Sequence, residues 1–235
     1  MAVLNLRPLA GGRILRGSQP FGLDAVATSD FLAEHGIQTI MDLRSDLERS
    51  LVPWLVQGDD QGDKNNDDGH AAVELIHNPL DPNAIAGSLQ AVETPEDLGE
   101  LYLGWIRLRP EWVADALRPA AHGKRTLVHC SLGKDRTGVV SALALLAAGG
   151  TEDQVVEDYT ATTLSLPTML EVMAETWRLH VPSTPAAYFS PELMVLQSPE
   201  AAMRHFLAAF AKEFGDARGF LREAGLTAVE VQSLR

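Results

Sequence analysis

Apolar residues along this chain fall into short runs and longer periodic stretches. Residues 37–44 are an apolar, β-prone run ending in polar residues, residues 125–128 are a shorter one, and residues 73–77 form a third; each reads as a strand of a buried sheet. Residues 13–18 read as a short edge strand running into a turn at Gln19 and Pro20. Elsewhere the helical period takes over. Thr28 or Ser29 caps a helix that runs to His35 and is stopped by Gly36. Thr94, followed by Pro95, Glu96 and Asp97, starts another. Its Leu98, Leu101, Tyr102, Trp105 and Leu108 share a face and read as core, with contact to substrate as the alternative for Tyr102 and Trp105. Further helices are expected over residues 110–121, from 139 onward, from Thr151 through Tyr159, over 166–179 and from Ser198 to Phe214, with two short ones after Gly215 and Gly225. Residues 181–190, rich in Pro, Ser and Ala, read as a hinge. Strands alternating with helices predict an α/β fold: a small, twisted, mostly parallel central sheet of about four or five strands, helices on both faces, and an all-helical last third.

The densest chemistry lies where the strand at 125–128 meets the helix after it. His129, Cys130, Ser131, Leu132, Gly133, Lys134, Asp135, Arg136, Thr137 and Gly138 follow one another there, and Cys130 is the only cysteine. A tight loop between a strand and a helix N-terminus turns unpaired N–H groups and the positive end of the helix dipole toward an anion, for which phosphate is the natural guest. Gly133 and Gly138 let the backbone turn and approach closely, and Arg136 can lay its planar fork over two phosphate oxygens. In such a cationic cup a cysteine is expected to titrate between about 4 and 7 rather than near 8.5, which makes it a nucleophilic thiolate.

At these residues the chain resembles the cysteine-dependent protein tyrosine phosphatases, whose loop reads His-Cys, five residues, Arg, then Ser or Thr. The Gly-Lys-Asp-Arg-Thr-Gly version is similar to a bacterial branch with dual-specificity and phosphoinositide-active members, as are Arg16-Gly17-Ser18 and Asp42-Leu43-Arg44 with Glu48. The resemblance implies that Cys130 attacks phosphorus, Arg136 holds the phosphoryl group, Thr137 assists breakdown of the cysteinyl-phosphate and His129 orients the loop. Ser131, Leu132, Gly133, Lys134, Asp135 and Arg136 then bind phosphate, and Lys134 is tied to wider, lipid-tolerant specificity. The implied organisation is one phosphatase domain over 1–235, with a catalytic core of about 10–160 and a helical part of about 161–235 that can form a lid. The alternatives to a phosphotyrosine phosphatase are a dual-specificity or phosphoinositide phosphatase and a pseudophosphatase that only binds phosphorylated ligands.

Composition narrows the partners. Thirty-two acidic against nineteen basic residues give a net charge of −13, which disfavours nucleic acid and anionic membrane surfaces at long range. Capture of a phosphorylated protein or phospholipid headgroup, with inorganic phosphate as product, then depends on the local field of the loop. Neither a membrane span nor a leader peptide is read from the sequence, and a single cysteine suits a reducing compartment, so a cytoplasmic location is expected. No cofactor and no metal are expected, because the remaining histidines lack ligand spacing. In the Asp- and Asn-rich residues 58–69, an exposed loop, the calcium-loop pattern through Asp63, Asn65, Asp67 and Glu74 breaks at Asp68, where glycine is needed. The general acid stays open between two residues. Asp42 ends a core strand on the sheet edge that carries Cys130, and it is preferred; Asp135 is closer, but Lys134 and Arg136 beside it favour its ionised form.

Overall fold

The computed structural model describes residues 2–9, 11–56, 73–80 and 92–235. The acidic loop with its calcium pattern, apart from Glu74, and most of the turn expected over 79–87 lie outside them. Among the described residues five strands form one sheet: β1 (Arg7–Pro8), β2 (Ile14–Gly17), β3 (Thr39–Asp42), β4 (Glu74–His77) and β5 (Thr126–His129), in the order β1-β2-β5-β3-β4. All neighbours are parallel except β1 and β2. Residues 13–18 therefore hold no edge strand, because β1, too short to be read from sequence, covers their outer side.

Between the strands lie α1 (Ala25–Glu34), α2 (Asp46–Leu51), α3 (Pro95–Leu108) and α4 (Pro110–Ala121), and α5 (Asp135–Ala148) follows β5. The last third holds α6 (Glu152–Thr160), α7 (Leu166–His180), α8 (Glu200–Phe214), α9 (Ala217–Glu223) and α10 (Ala228–Ser233). The cap of α1 is Asp24, whose side chain accepts from the Ala27 amide, rather than Thr28 or Ser29. Thr94 and Thr151 cap α3 and α6 as their sequences predict. Residues 181–199 contain only short 3-10 turns, at Ala186–Phe189 and Met194–Leu196.

Strand alternation divides the core in two. Ile14, Met41 and Val128 point to the face covered by α3 to α6 and α8 to α10, while Leu15, Ile40 and Leu127 point to the smaller face covered by Val3, Leu32 of α1 and Trp54. Helices α8 to α10 supply Met203, Phe206, Phe210, Phe220 and Val231 to the larger core, so they are a packing layer. Only α7 stands apart, in a small cluster of Leu166, Met169 and Leu170 with Leu196 and Leu132. Register sets Asp42 beside His129, so β3 and β5 end together at the carboxyl edge where ligands of open α/β sheets bind.

Candidate active site

Strand β5 delivers Cys130 to that edge, 2% exposed, and residues 130–134 then turn sharply into α5. The turn requires Gly133. Its φ is +65°, and a Cβ there would sit 2.2 Å from the Gly17 carbonyl oxygen. Side chains from behind hold the loop's carbonyls. Asn5 Nδ2 donates to Leu132 O (3.2 Å) and Gly133 O (3.1 Å), and Arg16 Nη2 donates to Gly133 O (2.7 Å) and Lys134 O (3.5 Å). Arg16 is itself fully buried and paired with Asp158, which also accepts from Arg7. In a planar trans peptide the C=O and the next N–H point in opposite directions. Anchoring these carbonyls outward therefore turns the N–H groups of Gly133, Lys134 and Asp135 inward. No side chain caps the start of α5, so its first amides add to the same anion-binding cradle.

Arg136 is held over the loop by Glu48 of α2. Its Nη1 donates to Glu48 Oε2 (2.7 Å), Leu43 O (3.2 Å) and Leu80 O (3.1 Å), and its Nη2 to Glu48 Oε1 (2.6 Å). Ser131 Oγ donates to the same Oε1 at 2.5 Å. Burial alone would push Glu48 up, but the charge and hydrogen bonds of Arg136, with Ser131 and the Ser45 amide, hold it far below the usual carboxylate range. Burial would lower Arg136; Glu48 outweighs it and locks the guanidinium in its charged form.

Asp42 reaches the expected edge but is committed elsewhere. At 1% exposure it accepts from Arg44 Nε (2.9 Å), Nη2 (2.7 Å) and backbone N (3.0 Å), and Arg44 is equally buried against Gln19 and Val52. Burial raises the carboxyl, yet the adjoining His129 ring, then the hydrogen bonds and charge of Arg44, bring it to about 2. With both oxygens taken by Arg44 and no exposed edge, this carboxyl has no oxygen free to hand a proton to a leaving group. His129 lies 3.6 Å away, but its Nε2 accepts from the Trp54 indole N–H (2.8 Å), which can only donate. The proton therefore sits on Nδ1 and bonds Cys130 O (3.1 Å), fixing the neutral tautomer. Burial lowers His129 to about 4, in agreement.

This histidine makes stability fall on acidification. Its folded value lies below an unfolded value of about 6.5, so its contribution is complete above that pH and is lost as pH drops toward 4, because the unfolded chain takes the proton first. About 2 to 3 kcal/mol should disappear over that window. Asp42 removes more below about pH 4. Urea midpoints across this pH range should show the drop and His129→Gln should flatten its upper part; a flat wild-type profile would contradict the buried neutral ring.

Asp135 opens α5 with its side chain 23% exposed. Its Oδ1 accepts from Tyr102 Oη (2.6 Å) and lies 2.6 Å from Lys134 Nζ. That ammonium is fully buried and also donates to Gln197 O (2.6 Å), so Lys134 does not present a free cation to a ligand. Thr137 Oγ1 is buried and has no hydrogen-bond partner among the described residues. Asn5 and Arg16 were not legible as loop supports. Glu48 carried a signal, since Ser45-x-x-Glu48 is a capping box, and the box is present.

A profile of the "Tyrosine phosphatase family" matches residues 4–235. A "Tyrosine-protein phosphatase" of Nostoc commune is 27% identical over 222 residues, covering 89% of this chain and 68% of that protein. The "Triple specificity protein phosphatase PtpB" of Mycobacterium tuberculosis is 26% identical over 258 aligned positions, covering 98% and 91%. The crystal structure of P. aeruginosa TpbA aligns at 15% identity with a TM-score of 0.36, covering 79% of this chain and 88% of that one.

Proposed function

This chain belongs to the tyrosine phosphatase family and is a phosphatase, and from that premise we propose the roles of its residues in phosphomonoester hydrolysis. Cys130 Sγ attacks phosphorus in line with the leaving oxygen, forming a cysteinyl-phosphate as the P–O bond breaks. The inward N–H groups of the loop and Arg136 hold the equatorial oxygens. Because Glu48 occupies the end-on Nη1/Nη2 fork, phosphate takes the remaining side-on pair, Nε–H and the second Nη2–H. Asp135 protonates the leaving oxygen and then takes the proton from the water that hydrolyses the intermediate. Thr137, whose hydroxyl has no other partner among the described residues, assists that second step.

The observation that carries this reading is the loop itself: a cysteine at the base of a cradle whose carbonyls are tied back by Asn5 and Arg16. The preference for Asp42 as acid gives way to Asp135, because Asp42 is spent on Arg44. Asp135→Asn should slow aryl phosphates with poor leaving groups about 100-fold or more and good ones little, whereas Asp42→Asn should slow all alike. A graded effect in Asp42→Asn alone would reverse the assignment.

Phosphotyrosine in proteins is the substrate class we favour, in the cytoplasm. A wider range is the second reading, supported by the triple specificity in the name of the mycobacterial relative. We read helix α7, whose Leu166 and Leu170 cluster with Leu132, as the lid, rather than α8 to α10. A turnover panel of phosphotyrosine, phosphoserine, phosphothreonine and phosphoinositide in EDTA tests the class and its independence of metal. Hydrolysis of phosphotyrosine in EDTA is expected; activity that EDTA abolishes would overturn it.

A further inference from the structure

Tyr102 packs on α3 as a core residue should, fully buried, and a phenylalanine would fill the same space. Its hydroxyl is nevertheless placed. Oη lies 2.6 Å from Asp135 Oδ1 and 2.8 Å from Oη of Tyr159, another buried tyrosine, on α6. Burial, then the charge of Asp135, raises both phenols, so both remain protonated. A carboxylate oxygen accepts, which makes Tyr102 the donor to Oδ1 and Tyr159 the donor to Tyr102. Lys134 Nζ brings a second donor to the same Oδ1 and is anchored in turn on Gln197 O. Asp135 Oδ2 has no hydrogen-bond partner among the described residues. When the carboxyl is neutral, Oδ1 is therefore the carbonyl-like oxygen and the proton resides on Oδ2.

We propose that Tyr102, backed by Tyr159, is a positioning residue that fixes the Asp135 carboxyl so that its transferable proton sits on Oδ2, open to the leaving oxygen. As the P–O bond breaks, the Oδ2–H bond breaks and the leaving oxygen gains the proton. The carboxylate left behind keeps both donors on Oδ1, which stabilise it as its charge appears. This rests on Asp135 being the general acid, and the test separates the two ideas.

The test is kcat and KM for aryl phosphates of graded leaving-group pKa, measured on wild type, Tyr102→Phe, Tyr159→Phe, Asp135→Asn and the Tyr102→Phe/Asp135→Asn double variant. Tyr102→Phe should slow phenyl phosphate about tenfold, leave dinitrophenyl phosphate within about twofold and leave KM unchanged. Tyr159→Phe, which keeps Tyr102 in place, should shift the leaving-group slope in the same direction by less, and carries the test if Tyr102→Phe does not fold. The double variant should have the slope of Asp135→Asn, since the tyrosine acts only through that carboxyl. A Tyr102 effect equal for every leaving group, or none, beside a graded Asp135→Asn effect, would overturn the positioning role alone. An ungraded Asp135→Asn effect would remove the acid assignment and this proposal with it.

Discussion

Cys130→Ser should abolish turnover, with kcat falling by at least about 10⁴-fold, while phosphate should still bind within about threefold of wild type. The two halves of that result have separate causes. A serine hydroxyl in this loop has no base ready for its proton in the first step: Asp135 enters that step as the acid, and His129 has its Nε2 filled by Trp54 and its Nδ1 proton directed at Cys130 O. The anion cradle does not depend on sulfur. Its carbonyls are held by Asn5 and Arg16, its turn by Gly133 against Gly17, and Arg136 by Glu48. Titration calorimetry with phosphate, beside turnover, measures both. Retained activity would remove Cys130 from the chemistry, and lost binding would show that the cradle needs the thiol.

Arg136→Lys should lower kcat/KM by about 10²- to 10³-fold and weaken phosphate binding as well. Arginine serves two masters here, an end-on fork for Glu48 and a side-on fork free for phosphate. An ammonium is a single point of charge, so it pairs with Glu48 or with phosphate but cannot reproduce both planar contacts. Glu48 would then be left partly unpaired in a buried position, and a lower melting temperature should accompany the kinetic loss. A variant keeping more than about a tenth of wild-type kcat/KM would mean that the guanidinium is not the clamp.

Much of this was readable in the chain. Strands β2 to β5 stand where short apolar runs end in polar residues, and Thr94 and Thr151 cap helices by their own side chains. The loop was legible because its chemistry is contiguous. What escaped is assembled across distance: Asn5 reaches the loop over 127 residues and Arg16 over 117, and neither carries a local pattern that announces a carbonyl partner. Asp42 misled for a related reason. Its position at the sheet edge was right, but the identity of its partner depends on Arg44 folding back two residues, and on Gln19 and Val52 holding it there. Tyr102 fits helical periodicity as core, and periodicity says nothing about where a buried hydroxyl points. Lys134 is expected from its place in the loop to bind phosphate, yet its stem is buried and its charge is used between Asp135 and Gln197.

The most direct measurement is rapid acid quench of the enzyme during turnover of an aryl phosphate in EDTA, followed by mass spectrometry of the peptide that carries residue 130. A transient gain of one phosphoryl group on Cys130, formed no more slowly than the leaving group is released and absent from Cys130→Ser, is the expected result. Full turnover with that peptide unmodified at every time point, or with the phosphoryl group on another residue, would contradict the cysteinyl-phosphate route.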